Sequence, residues 1–308
     1  ARLIGSEPSL VLHGGGNTSA KGSLTDTLGR TQRVMWIKGS GGDLATIGSQ
    51  GHPAVRLDAL ADLRSLTQIS DEAMVNELRL ALLDHQAPTP SIEALVHAFL
   101  PHPFVDHTHA DAILALVDQP DSEKMLKEIY GRRFAIIPWI MPGFQLSLAA
   151  HAAFEANPNI EGLLLLKHGI FTFGQTAKES YERMIAAVTE AERYVTDHPH
   201  PNPSPLNKSH YPKRGEDSFP ILRGLLTNRS NPDAPQPPIL HHRSSPEILS
   251  FVNHQKVERW SQIGPATPDH VIRTKPLPLL LAAPSGFTSL DAWRQDNALR
   301  LQHYIESY

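Results

Sequence analysis

The run Gly162-Leu163-Leu164-Leu165-Leu166 constrains this chain more than any other stretch. A short apolar segment with no polar alternate reads as a strand buried in a sheet, and functional side chains collect where such strands emerge at a loop. This one emerges at Lys167-His168-Gly169. His168 is therefore a candidate functional residue, with a hydrogen-bonded core histidine as the alternative reading.

Other elements fall around that strand. Strands are expected at Leu10–Leu12, Val34–Lys38, the stretch containing His107 and His109, Phe134–Pro138 and Ile170–Gly174. Helices are expected over Asp71–Asp84 with Ser70 as N-cap, from Ser91 to Phe99, over Ser122–Tyr130, Leu146–Ala156 and Ala177–Asp197. Past Asp197 the composition changes, with proline-rich stretches at 198–205 and 231–238. The expectation is a compact α/β domain over residues 1–197 and a proline-rich linker with a C-terminal extension over 198–308. Within the extension, Ile221–Leu226, Glu247–Asn253 and Leu277–Ala282 read as structured, and Leu290–Ser307 as a final helix capped by Ser289.

The absence of cysteine excludes disulfides, thiolate metal ligands and a thiol nucleophile. Any bound metal must then be held by carboxylates and by the 17 histidines. A net charge of −4 argues against nucleic acid or an anionic membrane as partner. No apolar run of about 18 residues and no leader pattern is present, so a cytoplasmic protein is expected. The first residue is Ala1, as in a processed chain or a piece of a longer one.

His107 and His109 are separated by one residue. In an extended strand, residues i and i+2 point to one side, so both imidazoles can reach one point, as a divalent transition metal requires of its first nitrogen ligands. Two satisfied polar residues at a strand start are the alternative. Glu93 and His97, four apart, share a helix face; a solvated carboxylate in a first turn is the plain reading of Glu93. Two glycine-rich loops, His13–Ser19 and Gly39–Asp43, are tight turns or anion cradles in which Asn17 and backbone N–H groups supply donors. Neither is a Walker loop or a Gly-x-Gly-x-x-Gly unit, so nucleotide binding is not supported.

In order along the chain, Gly15-Gly16-Asn17-Thr18-Ser19, Lys38-Gly39-Ser40-Gly41, Ser91-Ile92-Glu93, His107-Thr108-His109 and His168-Gly169 resemble the class II aldolase/adducin family. The resemblance covers residues 8–195. It is closest to the aldolase portion of bifunctional rhamnulose-1-phosphate aldolase/alcohol dehydrogenases, and there includes Met141-Pro142-Gly143-Phe144 and Gly264–His270. It implies a three-layer α/β/α domain with a central, mainly antiparallel sheet. It also implies Zn2+ held by His107, His109 and His168, with Glu93 catalytic, and a phosphate bound by Asn17, Ser40, Gly41 and Ser91.

The reaction so implied is reversible cleavage of a ketose 1-phosphate to dihydroxyacetone phosphate and an aldehyde. Zinc would act as Lewis acid and Glu93 would move the proton at C3, its pKa raised by a dry site. Ribulose-phosphate 4-epimerase or sugar-phosphate dehydratase activity, or a non-catalytic adducin-like interaction module, are alternatives. A sugar phosphate as ligand and a homo-oligomer, a tetramer by resemblance, complete the expectation. Ile92 stands where smaller relatives carry a second hydroxyl residue, which removes one phosphate contact. With no dinucleotide-binding unit in the chain, no dehydrogenase activity is expected. Asp269-His270 and His241-His242 could border the site, with linker or surface residues as the plainer reading.

Overall fold

A computed structural model of the chain describes residues 1–199, 215–227, 235–271 and 274–307. Two units result, one formed by Ala1–Pro199 with Pro265–Thr274 and one by His200–Gly264 with Lys275–Tyr308. The proline-rich stretches at 198–205 and 231–238 lie largely outside the described residues.

The first unit is built on a seven-stranded sheet: β1 (Asn17–Thr25), β2 (Thr31–Ile37), β3 (Ala54–Arg56), β4 (Phe104–Thr108), β5 (Phe134–Ile137), β6 (Gly162–Leu165) and β7 (Gly169–Gly174). Their order is β3-β2-β1-β4-β7-β6-β5. Pairing is antiparallel except between β5 and β6. The helices are α1 (Arg2–Gly5), α2 (Leu57–Asp62), α3 (Asp71–Leu80), α4 (Ala94–Phe99), α5 (Asp111–Val117), α6 (Ser122–Tyr130), α7 (Phe144–Ala156) and α8 (Ala177–Asp197).

Both faces of the sheet are covered, which is why β6 reads as unbroken leucine. Leu164 and Ile170 pack with Ile113, Leu126 and Met184 of α5, α6 and α8 on one side. Leu163, Leu165, Phe171 and Phe173 pack with Val96 of α4 and with Leu146 and Ala150 of α7 on the other. The alternation within β6 and β7 is the period of two that a strand imposes. This is the mainly antiparallel, three-layer α/β/α arrangement expected. Ser70 caps α3 as predicted, its hydroxyl accepting from Ala73 N at 3.2 Å.

Two departures from expectation have physical reasons. Leu10–Leu12 is not a strand. Leu10 and Val11 are buried side chains of a loop, and Gly15 N closes a turn onto the Leu12 carbonyl at 2.8 Å. The strand comes later, at Asn17–Thr25, where a polar sequence conceals it: its backbone is held on both edges by β2 and β4 while Asn17, Thr18 and Ser19 are buried. Leu277–Ala282 forms neither helix nor strand. Its backbone instead serves as a docking strip, the Leu277 carbonyl accepting from the Tyr304 hydroxyl at 2.6 Å and the Ala282 carbonyl from the Trp293 indole at 2.7 Å.

Those last contacts belong to the second unit, whose described helices are α9 (Gly215–Leu225), α10 (Pro246–Val252), α11 (Val257–Trp260) and α13 (Leu290–Glu306). Ser289 caps α13 by accepting from Ala292 N at 3.1 Å. The short α12 (Pro268–Val271) falls in the stretch that joins the first unit.

Candidate active site

Strand β4 carries the His-x-His pair at the middle of the sheet. It lies between β1, where Asn17 is the register partner of His107, and β7, where Phe171 is. Thr108 faces the opposite layer, with its hydroxyl 3.2 Å from Met184 Sδ, so His107 and His109 share one side. The strand ends at Thr108, and His109 is the first residue beyond it, before α5 begins at Asp111. The His107 ring stacks on Phe171 with centroids 4.0 Å apart and planes 15° from parallel.

His168 arrives from the β6–β7 reversal. Lys167 takes a left-handed φ of 59°, a conformation uncommon for a side chain with a Cβ, and His168 N bonds back to the Leu165 carbonyl at 3.2 Å. Gly169 must remain glycine, because a Cβ there would lie 2.4 Å from the Thr108 carbonyl oxygen. His107, His109 and His168 form a buried cluster whose ligand atoms all lie within 4.8 Å of one another.

Glu93 completes the cluster. The helix expected from Ser91 begins only at Ala94, leaving Glu93 at the N-cap with its carboxylate turned inward. Its Oε2 lies 3.3 Å from His107 Nε2 and its Oε1 lies 3.1 Å from His168 Nε2. The expectation of a raised pKa is corrected. Burial pushes the Glu93 carboxyl up, but the neighbouring His107 and His168, with His109, outweigh burial and hold it well below the usual carboxylate range. Burial likewise holds the His107 imidazole well below its ordinary value.

Hydrogen bonding identifies which nitrogens are bare. His107 Nδ1 donates to the Ile170 carbonyl at 2.9 Å, and His109 Nδ1 donates to Asp269 Oδ1 at 2.6 Å. In neutral rings both Nε2 atoms then carry lone pairs, yet they face each other at 3.0 Å. A carboxylate adjoins them, and Glu93 Oε1 has no hydrogen-bond partner although it is buried. Electron-rich atoms converge in this way where a cation belongs. Three imidazole nitrogens converging on one point suit a zinc-type ion.

A relay behind the cluster aims Glu93. His97 is fully buried and its pKa is pushed down to about 3 by desolvation, so the ring is neutral. Its Nε2 donates to Asn17 Oδ1 at 2.5 Å and its Nδ1 accepts from the Ser19 hydroxyl at 2.7 Å. That leaves the Asn17 amide nitrogen to donate to Glu93 Oε2 at 2.7 Å and to Ser91 Oγ at 3.1 Å.

All this opens on one cleft of about 600 Å³. Asn17, Ser40, Gly41 and Ser91 line it together with Glu93, His109 and His168, whereas fully buried His107 stands behind. Ile92, in place of a hydroxyl residue, lines it too, and Trp139 and Met141 contribute an exposed apolar wall. The buried Lys38 adds an ammonium that donates to the carbonyls of Gly14 and Gly16, the latter at 2.9 Å, tying the first glycine loop to the second.

The residues missed from sequence are Lys38, His97 and Asp269. Lys38 opens the Lys38–Gly41 motif and His97 shares a helix face with Glu93, so both carry a signal in the sequence. The reading of Asp269 as a linker or surface residue is corrected: it is 1% exposed and bonded to a cluster histidine. His241 and His242 are exposed, as expected.

Residues 1–195 match the family described as class II aldolase and adducin N-terminal domain, and residues 213–308 match that described as aldolase class II, second domain. A curated relative from Bacillus subtilis (strain 168), the uncharacterized oxidoreductase YuxG, is 38% identical over 282 residues, 91% of this chain and 41% of the relative. The chain thus spans less than half the length of that relative. The solved N-terminal class II aldolase domain of a conserved protein from Thermoplasma acidophilum is 42% identical, with 63% of this chain and 89% of that one covered and a TM-score of 0.60.

Proposed function

Because the chain belongs to the class II aldolase and adducin family, we propose that it is a zinc-dependent aldehyde-lyase acting on a ketose 1-phosphate. The products of cleavage would be dihydroxyacetone phosphate and an aldehyde. One observation carries this reading: the bare Nε2 atoms of His107 and His109, 3.0 Å apart, face a buried carboxylate. His107, His109 and His168 would hold the ion. When bound it supplies Lewis-acid polarisation of the ketose carbonyl.

The remaining work falls to the chain's own groups. Glu93 moves the proton at C3 of the sugar: as a carboxylate it accepts that proton in the synthetic direction, and as the resulting acid it returns it during cleavage. Its ionised resting state suits the first role, and the Asn17 amide keeps Oε2 in place. Ser40, Gly41 and Ser91 offer the phosphate hydroxyl and backbone donors. Asn17, whose amide hydrogens go to Ser91 and Glu93, would exchange one of them for a phosphate oxygen. Lys38 adds positive charge to that end of the cleft. Trp139 and Met141 give the cleft an apolar wall. A homotetramer is the assembly that goes with this reading, and light scattering checks it.

The test is release of dihydroxyacetone phosphate from rhamnulose 1-phosphate by zinc-loaded protein, followed through a coupled reductase. Glu93→Gln should abolish turnover while zinc stays bound; loss of zinc would make Glu93 a ligand instead. No release from any ketose 1-phosphate by the zinc-loaded protein would sink the aldolase reading in favour of an epimerase or dehydratase. A chain that binds no divalent ion would favour an interaction module.

A further inference from the structure

Asp269 enters the first unit from far along the chain, on the Pro265–Thr274 stretch. It is almost wholly buried, and both carboxylate oxygens are committed. Oδ1 accepts from His109 Nδ1 at 2.6 Å, and Oδ2 accepts from the Leu12 backbone N–H at 2.7 Å. Asp269 N in turn lies 3.2 Å from Thr267 Oγ1, which steadies the backbone beneath it. A carboxylate pinned in two directions cannot rotate, so it dictates both the plane and the tautomer of the ring it touches.

The glycine loop is shaped around this side chain. Gly15 has no left-handed φ, unlike Gly14 and Gly16, so no turn conformation demands glycine there. Space demands it: a Cβ on Gly15 would lie 1.4 Å from Asp269 Oδ1. The two residues lie 254 positions apart in sequence (269 − 15) and occupy one volume. The other two histidines are held differently. His107 is oriented by a backbone carbonyl, and His168 Nδ1 has no hydrogen-bond partner. Among the described residues, His109 is thus the cluster histidine backed by a carboxylate.

We propose that Asp269 is a positioning residue that fixes His109 as the Nδ1–H tautomer, with Nε2 bare for a divalent cation, and that Gly15 exists to admit it. The inference rests on the reading of His107, His109 and His168 as ligands. Asp269→Asn makes the consequence sharp. The Leu12 N–H requires an acceptor, so the amide oxygen of Asn turns to it and the NH2 group faces His109 Nδ1. That nitrogen must then accept, which moves the ring proton to Nε2 and blocks the ligand atom.

Two measurements test this on the full chain. Nitrogen-15 shifts of His109 in metal-free protein should report a protonated Nδ1 and a bare Nε2, and Asp269→Asn should reverse them. Competition against a chelator should show zinc binding about 10- to 100-fold weaker in Asp269→Asn than in the native protein. Gly15→Ala, which leaves Asp269 in the sequence but evicts it, should lose affinity to a similar degree. A native His109 protonated at Nε2 overturns the inference without any variant, and so does zinc affinity within twofold of native in Asp269→Asn. Should the native protein bind no zinc, the three-histidine reading fails on its own, and the metal-free shifts still decide whether Asp269 sets the tautomer.

Discussion

Acid should unfold this protein partly through one histidine that touches neither solvent nor the cation site. Burial pushes the His97 pKa from 6.5 to about 3. The unfolded chain therefore binds a proton at His97 between those values while the folded chain does not. For a lowered folded pKa, the contribution to stability is present above pH 6.5 and is lost as pH falls towards 3. Each pH unit in that window costs about 1.4 kcal/mol, so a drop from pH 7 to pH 5 removes about 2 kcal/mol through His97 alone. His107, lowered in the same direction by the same burial, adds to the slope of the native protein.

The comparison that isolates His97 is with His97→Gln. Glutamine carries an N–H donor near the position of Nε2, can still approach Asn17, and does not titrate. Urea midpoints followed by circular dichroism from pH 7 to pH 5, in metal-free protein, should fall less steeply for the variant. The gap between the two curves should open by about 2 kcal/mol over that range. Parallel curves would refute the reasoning, because they would mean that His97 is already protonated in the fold or is hydrated there.

Tyr130→Phe removes a buried hydroxyl that donates to the Ala187 carbonyl at 2.7 Å, and should cost about 1 kcal/mol in urea unfolding. Lys38→Met deprives two loop carbonyls of their ammonium donor. It should destabilise the first unit by about 2 kcal/mol and weaken inorganic phosphate binding measured by calorimetry. Arg133→Ala breaks half-exposed ion pairs to Glu161 and Glu190, and should lower stability by about 1 kcal/mol or less, an effect that shrinks further in high salt.

Much of the fold was legible because its signals are local. The span Ala177–Asp197 is legible from its apolar spacing, and Ser70 and Ser289 are legible as caps because capping involves residues three apart. The buried β6 announced itself through its leucines, and the side-by-side histidines through the period of a strand. Where neighbours in space overrode local character, reading failed: the polar Asn17–Thr25 became a central strand, and the apolar Leu10–Leu12 became a loop.

By itself the sequence determined which residue types were available, namely histidines and carboxylates without a thiol, and, through ordered motifs, the family they belong to. Only the tertiary structure decided how those residues act. The carboxyl of Glu93 is held low, against its own burial, because His107, His168 and His109 are brought beside it from distant parts of the chain, a proximity no local pattern encodes. Gly15 is glycine because Asp269 fills the space of its missing side chain. That constraint appears only when the chain folds back on itself, since excluded volume and hydrogen-bond geometry act between neighbours in space.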